Sequence, residues 1–138
     1  MTTEETLNTL SDGLLPGYMG VVVTRCDNET IDAEIDLKPH HMAPNGFLHA
    51  GTVITLADSA CGHGCVANLP DGAESFTTVE LKSNHLGTAR EGTITCHAKA
   101  VHTGRTTQVW DAQVVHQESG KTIALYRCTQ MILYPRKS

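Results

Sequence analysis

Residues 30–37 (TIDAEIDL) alternate strictly: Ile31, Ala33, Ile35 and Leu37 fall on one side, Asp32, Glu34 and Asp36 on the other. A period of two marks a strand with one buried and one wet face. The preceding run, 18–26 (YMGVVVTRC), is β-branched and reads as its partner strand, with Asp27-Asn28 as the hairpin turn. Four further runs, 75–86, 92–103, 106–117 and 121–134, are rich in Thr, Val and Ile and bounded by Gly87, Gly92, Gly104 and Gly120. They read as strands. Residues 38–48 (KPHHMAPNGFL) and 68–74 (NLPDGAE) carry the prolines and glycines of loops. Between them, 50–67 (AGTVITLADSACGHGCVA) reads as a helix starting near Gly51 or Thr52, and 2–12 as a short N-terminal helix. Strands that follow one central helix predict an α+β fold with a mostly antiparallel sheet, in a single domain over 1–138.

The central helix changes the picture most. A surface helix carries a charged face, yet this one has a single charged residue, Asp58. Its composition predicts a helix wrapped by the sheet. A carboxylate there costs free energy unless paired, which makes Asp58 a functional candidate. The plainer reading is a carboxylate on an open helix flank. Just before the helix stands His49-Ala50-Gly51. The first N–H groups of a helix lack intrahelical partners and sit at the positive end of its dipole. Small residues there let an anion or oxyanion approach. Eight residues separate Ala50 from Asp58, about 12 Å along a helix. One carbonyl cannot touch both, so a site using both predicts two chains with antiparallel helices.

Composition narrows the classes. The net charge of −5 argues against a nucleic-acid partner. No apolar run approaches a membrane span, and the polar, acidic N-terminus lacks the features of a secretory signal. Five cysteines without a CxxC pair suit a reduced, cytoplasmic chain. His40, His41, Cys61, His63 and Cys65 gather around the helix but match no standard zinc spacing, so no metal is expected. Arg90, Arg105 and Thr106 adjoin turns, where they read either as a phosphate-binding set or as solvated turn residues. Trp110 reads as packing.

The segment NGFLHAGTVITLADSACG (45–62) resembles the H-G-G-x₅-(L)-A-(D/E) signature of hotdog-fold acyl-CoA thioesterases. The similarity is to the phenylacetate-degradation type and to the proofreading thioesterase of enterobactin synthesis. VELKSNHLGTAREG (79–92) and HTGRTTQVWDAQV (102–114) resemble later strands of the same family, so the likeness spans roughly 15–134. It implies a sheet wrapped around one helix and hydrolysis of an acyl-CoA or acyl-carrier-protein thioester without any cofactor. It implies Asp58 as nucleophile or general base and the Ala50 N–H as oxyanion donor. His49 then orients the loop or contacts substrate and Gly51 binds substrate beside it, with Thr78 positioning water and His85 near the acyl group. A homodimer is implied as the minimal unit, pairing into a homotetramer. The chain departs from the pattern in having HAG for HGG. It also has Ala43 where the family carries Asn or Gln; Asn45 replaces that amide if the loop differs by two residues. A non-catalytic acyl-CoA-binding module and a metal-binding protein are the rival readings.

Overall fold

The computed structural model describes residues 1–136. Six strands form one antiparallel sheet in the order β1-β2-β4-β5-β6-β3. The strands are β1 (Val22–Asp27), β2 (Thr30–Asp36), β3 (Ser75–His85), β4 (Thr93–Thr103), β5 (Thr107–His116) and β6 (Thr122–Leu133). The central helix, α3 (Ala50–Ala67), packs against β2 to β6, and α1 (Thr3–Leu10) and α2 (Leu15–Tyr18) precede the sheet. This is the hotdog architecture. The alternation in β2 holds, with Ile31, Ala33 and Ile35 fully buried.

Three local expectations change. Residues 18–21 do not begin a strand: Pro16 starts the short α2, and Gly20 ends it at φ +83°, so β1 opens only at Val22. The proline's fixed φ suits a first helical turn, and glycine takes the positive φ without strain. The 38–48 loop contains a 3₁₀ turn, Pro39–His41, and a bridge between Met42 and Leu48. Helix α3 starts at Ala50, one or two residues earlier than its composition suggested, because His49 caps it.

The helix approaches the sheet through its glycines. A Cβ at Gly62 would meet the Phe76 ring at 3.0 Å, and one at Gly64 would lie 2.5 Å from the Trp110 ring. Trp110 is fully buried, and its indole N–H donates to Gln108 Oε1 at 2.8 Å. Gln108 Nε2 donates in turn to the carbonyl of Asn68, the C-cap of α3, at 2.9 Å. The largest core side chain is thus tied to the end of the helix it supports.

The two sheet edges are treated differently. On the outer side of β1, Asn8 of α1 acts as a surrogate strand: its Nδ2 donates to the Val23 carbonyl and its Oδ1 accepts from the Val23 N–H. One turn earlier, Glu4 accepts from the Cys26 N–H. At the opposite edge, β3 offers 11 residues with no neighbour beyond them in the chain. Val79, Leu81 and Leu86 are exposed along and just past it.

Alanine in a helix interior ordinarily stabilises relative to glycine by about 1 kcal/mol. At Gly64 the sign should reverse, since the Trp110 ring is held by its N–H and cannot yield. Overpacking costs about 1–3 kcal/mol, so Gly64→Ala should lower the urea midpoint with an unchanged slope.

Candidate active site

The start of α3 is built on His41. Its ring is buried, with Nδ1 accepting from the Lys38 N–H at 2.9 Å and Nε2 donating to the Met19 carbonyl at 2.7 Å. Those partners fix one neutral tautomer, and burial holds the imidazole below its ordinary pKa. The His41 carbonyl receives the His49 N–H at 3.1 Å and the Thr52 hydroxyl at 2.9 Å. His49 then caps the helix: its Nδ1 accepts from the Gly51 N–H at 2.7 Å, and its carbonyl from the Thr52 N–H. A Cβ at Gly51 would come within 2.9 Å of that ring nitrogen. The N–H of Ala50 is left without a partner among the described residues. Ala50 does not need a positive φ, so alanine in place of glycine carries no backbone strain.

Asp58 lies two turns further on. The helix is not sealed all round, because Asp58, Ser59 and His63 form a half-buried flank. That flank walls an open cavity of about 380 Å³, closed on its other sides by Leu10, Leu14 and Phe76. Asp58 is its only carboxylate. Tyr126 of β6 donates its hydroxyl to Asp58 Oδ1 at 2.6 Å. Burial and the adjacent carboxylate raise the phenol's pKa, so it remains a donor. A slightly larger cleft, about 450 Å³, lies between α2 and β2 among Glu34, Asp36 and Lys38 and does not include the α3 flank.

The remaining candidates divide between the two ends of the molecule. Leu48 donates to the Thr88 hydroxyl, so the 45–51 turn and the 85–90 segment share one end. Asn45, His49, His85 and Arg90 gather there, with the Arg90 guanidinium 5.1 Å over the Phe47 ring. Asn45 shapes its own loop, its Oδ1 accepting from the Phe47 N–H. Arg105 and Thr106 stand at the other end, where the Thr106 carbonyl accepts from Ile132 and the Arg105 carbonyl from the Tyr134 hydroxyl. Thr78 is half-buried opposite Gln130, two residues beyond the cavity-lining Phe76.

Tyr126 was not foreseen from the sequence. It sits in a run of alternating residues with nothing local to distinguish it, and its partner is 68 residues away. All five cysteines are free, and burial pushes Cys65 and Cys96 up to about 12. Such thiols stay protonated and unreactive near neutrality. Among the described residues, no three His, Cys, Asp or Glu side chains are grouped to hold a metal ion. No described helix is long and apolar enough to cross a membrane.

A capped helix start with one free N–H and a carboxylate tethered by Tyr126 beside an open cavity thus sit on a hotdog scaffold. Residues 45–123 match the thioesterase superfamily model, and the chain belongs to that family. A 1,4-dihydroxy-2-naphthoyl-CoA hydrolase of Listeria monocytogenes is 33% identical, over 78% of this chain and 84% of that one. The Escherichia coli enzyme of the same name is 28% identical over 95% of each. A solved mutant thioesterase from Pseudomonas aeruginosa superposes with a TM-score of 0.88 at 28% identity, covering 94% and 93% of the two chains. The protein is a thioester hydrolase.

The neutral His41 gives this helix start a pH dependence. A histidine whose folded pKa is depressed binds its proton more readily when unfolded, so acid favours unfolding. Stability should fall as pH drops below about 6.5, the ordinary histidine value. Urea titrations across that range should show a steeper acid slope for the wild type than for His41→Gln.

Proposed function

We propose that the protein hydrolyses acyl-CoA thioesters in a site shared by two copies of the chain, with Asp58 as the catalytic carboxylate. Asp58 carries this reading: it is the only carboxylate of an apolar cavity, and Tyr126 holds one of its oxygens. The second oxygen is left for chemistry. Asp58 either adds to the thioester carbonyl carbon or takes the proton of an attacking water. Either way the carbonyl oxygen becomes an oxyanion and the C–S bond breaks. With water attacking, the thiolate takes the proton that water gave Asp58. With Asp58 attacking, water then opens the acyl-aspartate anhydride, which releases the acid, restores the carboxylate and protonates the thiolate. The unpartnered Ala50 N–H, at the positive end of an 18-residue helix, stabilises that oxyanion. His49 and Gly51 keep the donor free by satisfying each other. Thr78 orients water, and His85 borders the acyl group. Asn45 contributes its Nδ2, since only its Oδ1 is taken up by the loop.

The separation of Ala50 from Asp58, about 12 Å along the helix, makes one chain half a site. The unpaired β3 edge supports the other half. A long edge with exposed apolar residues is a template for pairing, and β3 against its own copy closes with two-fold symmetry. Arg105 and Thr106, far from their own Ala50, then serve CoA phosphates of a site completed by the partner. Arg90 serves those of its own end. Dimers pair further into a tetramer, and the enzyme works in the cytoplasm. The relatives named as CoA-ester hydrolases favour CoA over a carrier protein as the thiol carrier.

Asp58→Asn should fold normally yet lose on the order of 10²–10⁴ in turnover, read as thiol release over a panel of acyl-CoAs. Near-normal kcat on the best substrate would remove Asp58 from the chemistry. The shared site is tested by complementation. Asp58→Asn and Ala50→Pro, which removes the donor N–H, should each be inactive. Confirmed heterodimers of the two should recover activity, because one of their two sites unites an intact turn with an intact carboxylate. Heterodimers as inactive as both parents would place the site within one chain.

A further inference from the structure

The cavity beside Asp58 is walled mostly by hydrocarbon, with Ser59 next to Asp58 as one polar group and the Ser11–His63 pair as the other. Leu10, Leu14, Val66 and Phe76 supply hydrocarbon walls. In the same lining, His63 of α3 meets Ser11, the C-cap of α1, with Nε2 and Oγ 3.2 Å apart. Ser11 is buried, and its backbone is locked into the turn between α1 and α2: its N–H reaches the Asn8 carbonyl and its carbonyl accepts from Leu14. The hydroxyl is therefore held in place, and with it the imidazole.

Burial holds His63 below its ordinary pKa, so the ring is neutral near pH 7. A neutral imidazole has one donor and one acceptor nitrogen. Serine occupies Nε2; among the described residues Nδ1 has no hydrogen-bond partner. Along the helix, His63 lies five residues beyond Asp58, about 7.5 Å of rise. That is roughly the reach of an aromatic ring or a medium acyl chain whose carbonyl sits at Asp58.

Resting on the hydrolase reading above, we propose that the His63–Ser11 pair is a specificity determinant that selects acyl groups bearing a hydroxyl or carbonyl oxygen about one ring-length from the thioester. An unsubstituted acyl group covers the pair with hydrocarbon and leaves a polar nitrogen unsatisfied, which costs free energy. A substituted one satisfies it. Because the two side chains already bond each other, discrimination should be moderate, about tenfold in kcat/KM.

The test uses matched thioesters: benzoyl-CoA against its meta- and para-hydroxy derivatives, and hexanoyl-CoA against its ω-hydroxy derivative. The readout is the ratio of kcat/KM within each pair, for the wild type, His63→Leu and Ser11→Ala. At least one wild-type pair should favour the oxygenated member about tenfold, and both variants should bring that ratio towards one. A purely structural tie between α1 and α3 would lower both members of a pair alike and leave the ratio unchanged, which overturns the proposal. Wild-type ratios near one throughout also overturn it. If His63→Leu fails to fold, the milder Ser11→Ala decides. If the wild type hydrolyses none of the esters, the hydrolase reading fails instead. The same ratio is then taken from calorimetric dissociation constants for these esters: a preference lost in the variants supports the pair, and an unchanged or absent preference overturns it.

Discussion

The close approach of α3 to the sheet is the constraint on which the rest depends. Gly62 and Gly64 have no side chains, so the Phe76 and Trp110 rings lie directly against the helix backbone. Any Cβ at Gly64 would drive the two layers apart. Layer spacing in turn sets whether the Tyr126 hydroxyl, rising from β6, can reach Asp58 at 2.6 Å. The Trp110–Gln108–Asn68 chain of hydrogen bonds fixes the helix along its axis. His41 fixes it at the other end through its carbonyl. Core packing and the Tyr126–Asp58 contact are therefore one arrangement, in which a change to the core displaces a carboxylate.

The helix presents two chemically different stations. At its start, capping by His49 consumes the Gly51 and Thr52 donors and spares that of Ala50. Two turns on, Asp58 faces a cavity rather than the core. Neither station needs an unusual backbone, since Asn28, in the β1–β2 turn, is the only non-glycine with positive φ among the described residues. Both stations are assembled from ordinary helix physics.

The fold was legible because its signals are periodic. The alternation of Ile31, Ala33 and Ile35 and the glycine-bounded runs after residue 75 report burial directly. The misreading at 18–21 came from counting Tyr18 and Met19 with the valines, when Pro16 and Gly20 punctuate the chain more strongly than those side chains extend it. Helix α3 was legible as buried, and an open flank at Asp58 was one of its two readings, but what lines that flank was not legible. Ser59 and His63 look like minor interruptions of an apolar helix until Ser11 and Phe76, distant in sequence, are brought against them. Asp58 stood out because it is the helix's only formal charge. Tyr126 did not, because one more aromatic in an alternating strand carries no local mark of a 68-residue contact. Asn45 illustrates the limit of motif spacing: an amide near the right position spends its oxygen on its own loop.

The sealing of β1 by Asn8 and Glu4 also bears on how copies of this chain can accumulate. A sheet with two receptive edges can accept a neighbour at each end and so continue indefinitely, as fibres do. Here one edge is already occupied by side chains from α1, which satisfy both backbone groups of Val23. Strand addition to this sheet is thereby confined to β3. Asn8 therefore stands where an added strand would have to bond β1. The short N-terminal helix thus turns a sheet with two open edges into one that is receptive on a single side.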